Sequence, residues 1–178
     1  GILAKGESLE PRQQFYYGRE LYYHQEYAQA LAVFEGFLSQ GQGWVENQID
    51  ACRHCARCLY GLCRAEEALL AFFRSFSYDV PRAEICCDIG QHFLDREQWR
   101  QAAYWYRQAL RCERQDDKGG FVLPDAYGYE PYLGLCLCSS RLGNEQEAEA
   151  YNELAAACKP DSPAIAYNRA YFASLKKT

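Results

Sequence analysis

"YYGRELYYHQEYAQALAVF", residues 16–34, decides the fold. In it Gly18 stands twelve residues before Ala30, and Phe34 follows Ala30 by four. Three later stretches keep the same arithmetic: "CRAEEALLAFF" (63–73), "QWRQAAYWYRQAL" (98–110) and "NEQEAEAYNEL" (144–154). Their alanines are Ala68, Ala102 and Ala148, and the residues four further on are Phe72, Tyr106 and Asn152. Twelve residues upstream stand Ala56, Gly90 and Cys136, each small, preceded by Cys55, Ile89 and Leu135 as Gly18 is preceded by Tyr17.

A small residue on one helix lets a second helix approach. The alanine on the second helix is its counterpart, and the aromatic side chains fill the gaps that remain. A single pair of this kind cannot bury its own apolar face, so copies must stack. The pattern resembles the tetratricopeptide repeat (TPR), a helix–turn–helix unit of about 34 residues. That resemblance implies an all-α fold: a right-handed superhelix of four TPR-like helix pairs plus a C-terminal capping helix. Pro160 takes the terminal proline position in the fourth copy, Pro81 falls one place late in the second, and the third has none.

The alanines lie 38, 34 and 46 residues apart. The first surplus falls in the Gly-rich stretch "LSQGQGWVEN" (38–47), read as a turn, and the larger one in "QDDKGGFVLPDAYGYEP" (115–131), read as an insertion. The spacing therefore predicts an N-terminal flank or linker at 1–10 and a single domain over 11–178. Its repeats fall near 11–44, 49–82, 83–114 and 129–162, with the inserted loop at 115–128. A capping helix at 163–176 follows, with Ser162 as N-cap and lysines in its last turn. Ile165, Tyr167, Tyr171, Phe172 and Leu175 are expected to supply that helix's buried and partly buried surface. Long loops inside compact domains are often functional, and Phe121, Tyr127, Tyr129 and Pro131 suit a loop that folds over a groove.

"ACRHCARCLYGLC" (51–63) invites a metal reading, because Cys52, Cys55 and Cys58 are three apart. Helical geometry opposes it: Cys52 and Cys58 stand roughly 9 Å apart along the axis at 1.5 Å rise per residue. Ligands about 2.3 Å from one zinc cannot span that distance without unwinding the helix. Cysteine buried in a core packs as a small hydrophobe, and the same reading covers Cys86, Cys87, Cys136, Cys138 and Cys158. His24, His54 and His92 lack the His-Glu-x-x-His spacing of a metal site and are expected as surface or groove polar residues. No phosphate loop and no nucleophile turn occurs. No cofactor and no metal is therefore expected, and the fragment is expected not to be an enzyme.

The net charge of −5 over 178 residues argues against nucleic-acid binding, which favours basic chains. No run approaches the ~20 apolar residues of a membrane helix. Reduced cysteines suit a cytoplasmic home. The sequence does not start with methionine, and is expected to be cut from a longer chain.

What remains is the inner face lined by the first helices. The alignment places there Phe15, Arg19, Tyr22 and Tyr23 from copy one, then Arg53, Arg57 and Tyr60 from copy two with His54 nearby. Copy three contributes Cys87, Gln91 and Asp95, and copy four Leu133, Leu137 and Ser140. Arg19, Tyr22, Tyr23, Arg53, His54, Arg57, Tyr60 and Gln91 are the candidate partner-binding residues. Arginine and tyrosine concentrate at binding hot spots, and arginine clasps carboxylates with two parallel hydrogen bonds. The expected partner is a protein or peptide, acidic in character.

A closer likeness runs through "PRQQFYYGRELYYHQEYAQALAVFEGFL", "GWVENQIDACRHCARCLY", "FSYDVPRAEICCDIGQHFLDREQWRQAAYWYRQAL" and "AYNRAYF". In that order these segments resemble the C-terminal repeat region of certain bacterial family 2 glycosyltransferases. The resemblance implies an accessory region that follows a GT-A transferase domain, which would itself be a partner. The metal-binding Asp-x-Asp of that domain is absent here, so no catalytic residue carries over. Two other readings stand beside a binding module: a cysteine-based metal or redox module, and a purely structural region packed on the catalytic domain.

Overall fold

The structure, a computed structural model, describes residues 9–178; of the flank read at 1–10, only Leu9 and Glu10 fall among them. Regular structure among these residues is entirely helical. The α-helices are α1 (Pro11–Tyr23), α2 (Tyr27–Ser39), α3 (Val45–Gly61), α4 (Ala65–Arg74), α5 (Ala83–Leu94), α6 (Trp99–Arg111), α7 (Tyr129–Arg141), α8 (Glu145–Cys158) and α9 (Pro163–Leu175). None is long and apolar enough to cross a membrane. The chain divides into two compact units. The first holds α1–α4 with Asp117–Phe121; the second holds α5–α9, with the segments that flank the 117–121 excursion.

Four hairpins share one turn. At Gln25, Cys63, Glu97 and Gly143 the backbone enters the left-handed region, with φ of 61°, 59°, 57° and 86°. The next amide then reaches back five residues: Glu26 N to Leu21 O (2.9 Å), Arg64 N to Leu59 O (2.8 Å), Gln98 N to Phe93 O (2.9 Å) and Asn144 N to Ser139 O (2.9 Å). This pairing satisfies the orphan carbonyls of the first helix and aims the chain into the second. Only the fourth turn uses glycine, for which the left-handed region carries no Cβ penalty.

The small-residue rule is visible in the packing. A Cβ built on Gly18 would lie 2.8 Å from the Phe34 ring, and one on Gly90 3.0 Å from the Tyr106 ring. Phe34 and Tyr106 therefore occupy the space a side chain would take. Ala30, Ala68, Ala102 and Ala148 are all fully buried. Phe15, Phe34, Phe37, Cys52, Cys55 and Cys58 belong to the first unit's core, and Cys86, Cys87, Ala102, Tyr106 and Leu135 to the second's. Burying one such aromatic contributes about 1.5–3 kcal/mol, which makes the ring positions main stabilising contacts of the first three hairpins.

The fourth pair departs from this chemistry. Asn152 holds the position of the ring and is fully buried. It accepts from Asn168 Nδ2 at 2.9 Å and so ties α8 to α9. Ile165 and Phe172 close the apolar end, and Arg169 grips Glu153 through two bonds of 2.9 and 2.8 Å. Tyr167 is exposed, as to a lesser degree are Tyr171 and Leu175, so the buried face of α9 is narrower than its sequence suggests. Ser162 stands at the N-cap, but its hydroxyl pairs with the Tyr129 hydroxyl and not with the helix amides.

The stretch read as a turn at 38–47 ends sooner, because α3 begins at Val45. Gly41 and Gly43 supply the left-handed residues of the connection. Glu46 and Asn47, within the stretch read as a turn, form the first turn of α3 with Gln48, and all three are buried.

Candidate functional site: the face of α1 and α3

Helices α1 and α3 lie side by side in the first unit. Their shared face centres on Arg19. Its Nη2 donates to the Tyr23 hydroxyl at 3.2 Å. Its guanidinium carbon lies 5.7 Å from the centroid of the Tyr16 ring, 5.9 Å from Phe15 and 4.9 Å from Phe121. Each distance is within cation–π range. Burial works against the charge of Arg19, but the Tyr23 hydrogen bond and the negative charge of Asp50 prevail and stabilise it. Among the described residues Arg19 Nε is buried with no acceptor.

Asp50, which the sequence reading passed over, is the anion of this face. Burial pushes its carboxyl upward; the hydrogen bond from His54 and the charges of His54, Arg53 and Arg19 outweigh it and hold the group below its ordinary value. His54 Nδ1 lies 3.0 Å from the Asp50 backbone oxygen and 3.3 Å from Oδ2. Its ring is buried against Phe34 at 5.2 Å and Tyr22 at 5.1 Å. His54 is thus a core residue that supports the face from beneath; on α3 its position points inward, which the i+3/i+4 pattern around Cys55 and Cys58 signalled. His92 is buried too, and only His24 of the three is at the surface. Phe15 is likewise core rather than lining.

The other candidates divide. Tyr22 is half-buried and packs on Tyr23, Tyr27 and His54. Arg53 and Arg57 are half-buried on α3, and Tyr60 leans on Phe72 at 6.2 Å between centroids. Beside Tyr16, a cleft of about 440 Å³ opens between Arg12, Gly43, Trp44 and Asn47. Gln91 belongs to the second unit. There it donates to Asp95 at 2.6 Å, accepts from the Tyr106 hydroxyl at 3.3 Å, and lines a cleft of about 450 Å³ with Leu94, Tyr129, Leu133 and Leu137.

The insertion touches each of these faces in turn. In the first unit Phe121 lies over Arg19, Gly119 and Gly120 run past Trp44 and Glu46, and Lys118 meets Asp79 at 3.2 Å. In the second, Glu84 accepts from Leu123 N (2.8 Å) and the Tyr127 hydroxyl (2.9 Å), and the Cys87 thiol donates to Ala126 O at 3.4 Å. Cys87 is therefore covered rather than presented to a ligand.

All ten cysteines are free. Burial pushes the Cys52 thiol up to about 12 and Cys58, Cys136 and Cys138 to about 11, and it raises Cys55 further. Such thiols are protonated and inert at neutral pH. Cys63 and Cys158 differ from the expected pattern: both are exposed, Cys63 because it sits in the hairpin turn and Cys158 because α8 ends there. Among the described residues no group of three or more His, Cys, Asp and Glu side chains is arranged to hold a metal ion.

Fourteen chains of known structure resemble this one. Among them is the crystal structure of YrrB, described as a TPR protein with an unusual peptide-binding site. It superposes with a TM-score of 0.67 at 15% identity, over 94% of this chain and 78% of that one. At that identity the likeness establishes the fold, a helical-repeat architecture of the TPR type. No protein-family model and no curated protein matches the chain.

Proposed function

We propose that this chain is a non-catalytic protein-interaction domain that binds an extended acidic peptide segment across α1 and α3. The observation that carries the reading is Arg19: a charged guanidinium set among aromatic rings, with a buried Nε that lacks an acceptor. A partner carboxylate supplies that acceptor, and charge-assisted bonds of this kind are about twice as strong as neutral ones. Arg53 and Arg57 extend the positive character along α3, while Asp50 fixes where the anion must not sit. The similarity to a peptide-binding TPR protein supports a peptide as the ligand class. The ordered resemblance of its segments to glycosyltransferase repeat regions supports a place after a GT-A domain in a cytoplasmic enzyme, with that domain or its acceptor as partner.

The test is a selection of displayed twelve-residue peptides on the whole chain, followed by titration of the selected sequences. Asp and Glu are expected to be enriched. Arg53→Glu combined with Arg57→Glu should abolish their binding while the melting temperature changes little. Selected peptides that bind the double variant as they bind the parent would refute the basic-face reading.

A further inference from the structure

The insertion contains a five-residue excursion, Asp117–Phe121, that leaves the second unit's segment, joins the first unit and returns. Its contacts fall on the face proposed above. Phe121 stacks on Arg19 at 4.9 Å, closer than any of the three rings that α1 itself supplies. A Cβ on Gly120 would lie 2.5 Å from the Glu46 carboxylate, and Gly119 holds a φ of 69° against the Trp44 ring. Gly119 takes the left-handed turn without a Cβ penalty, and Gly120 brings the backbone against the Glu46 carboxylate. The buried polar turn of α3, Glu46-Asn47-Gln48, lies in the region this segment passes.

We infer that residues 117–121 are an internal occupant of the α1/α3 face, with Phe121 in the place of an aromatic side chain that the partner brings to Arg19. The inference rests on the peptide-binding reading and narrows it: the partner carries an aromatic ring next to a carboxylate. Phe121 satisfies only half of the site. It offers a ring, but Arg19 Nε stays buried without an acceptor. Phe121 is 49% exposed, and the Lys118–Asp79 pair is partly open to solvent, where ion pairs contribute little. A peptide that supplies both ring and carboxylate displaces it, and the covalent tether keeps the face closed to ligands that supply only one.

The test compares the full chain with Phe121→Ala, in which the ring is gone and the backbone is retained. The probe is the synthetic peptide QDDKGGFVL, which copies residues 115–123, added up to millimolar concentration while backbone and Arg19 Nε–H signals are followed by NMR. Phe121→Ala should bind it at least tenfold more tightly than the parent (about 1.4 kcal/mol), with shifts confined to α1 and α3. Arg19→Ala on that background should lose the gain, and so should a peptide with alanine for its phenylalanine. Equal responses from parent and Phe121→Ala, or none from either, overturn the inference. If the library-selected peptides still depend on Arg53 and Arg57, that result leaves the basic-face reading intact; if they too fail, both fall.

Discussion

The two units build the same hairpins and present different faces. In the first, α1 surrounds Arg19 with Tyr16 and Tyr23, the inserted segment adds Phe121, and α3 adds Asp50, Arg53 and Arg57. In the second, α5 and α7 frame an apolar cleft of Leu94, Leu133, Leu137 and Tyr129 with Asp125 and Glu130 at its edge. The scaffold is indifferent to this contrast. Small residues and rings between the helices hold each hairpin, and the outward positions of the first helices are free to vary. Recognition chemistry is thus separated from stability, and substitutions should divide along the same line.

The largest effect is expected at the hairpin cores. Phe34→Ala removes a fully buried ring against Gly18 and should cost about 3–5 kcal/mol in urea unfolding. Asn152→Ala removes the polar counterpart at the same repeat position and leaves Asn168 Nδ2 with only the weak Cys136 sulfur as acceptor, for about 1–3 kcal/mol. A loss at Asn152 as large as that at Phe34 would show that α9 is bound more tightly than the ring hairpins.

A smaller effect is confined to acid. The Asp50 carboxyl is held below its ordinary value in the fold, so its stabilisation is present above an unfolded value of about 3.9 and is lost as pH falls through the folded value. Asp50→Asn should therefore flatten the acid limb of the stability profile below about pH 4. An unchanged limb would contradict the buried Asp50–His54 arrangement.

The smallest change concerns the turns. Glu97 carries about 1 kcal/mol of left-handed strain, partly offset in a Glu97→Gly variant by glycine's extra chain entropy. A net gain of about 0.5 kcal/mol is expected, and Gly143→Ala, the reverse exchange at the same turn position, should lose about 0.5 kcal/mol. Changes of the same sign at the two turns would break the claim that all four hairpins share one geometry.

The hairpins were legible because their signal is arithmetic: Gly18, Ala30 and Phe34 repeat at fixed intervals, and those residues are the contact points of the packing. The site was less legible. Its candidate list includes Arg19, Tyr22 and Tyr23, whose register follows from the same count. It missed Asp50, which looks like any helix-surface carboxylate until His54 turns inward beneath it. It also missed which part of the insertion meets Arg19, since a Gly-Gly segment has no periodicity to place it. Glu46 read as loop for a related reason, because its burial comes from a segment more than 70 positions away in sequence.

The central claim is that a partner peptide lies on α1 and α3 around Arg19. Hydrogen exchange of the chain saturated with a library-selected peptide tests it most directly. Slowed exchange is predicted in α1 and in the first turns of α3, and faster exchange in residues 117–121 as that segment is displaced. Protection concentrated on α5 and α7 or on α9, with α1 and α3 unchanged, would contradict it.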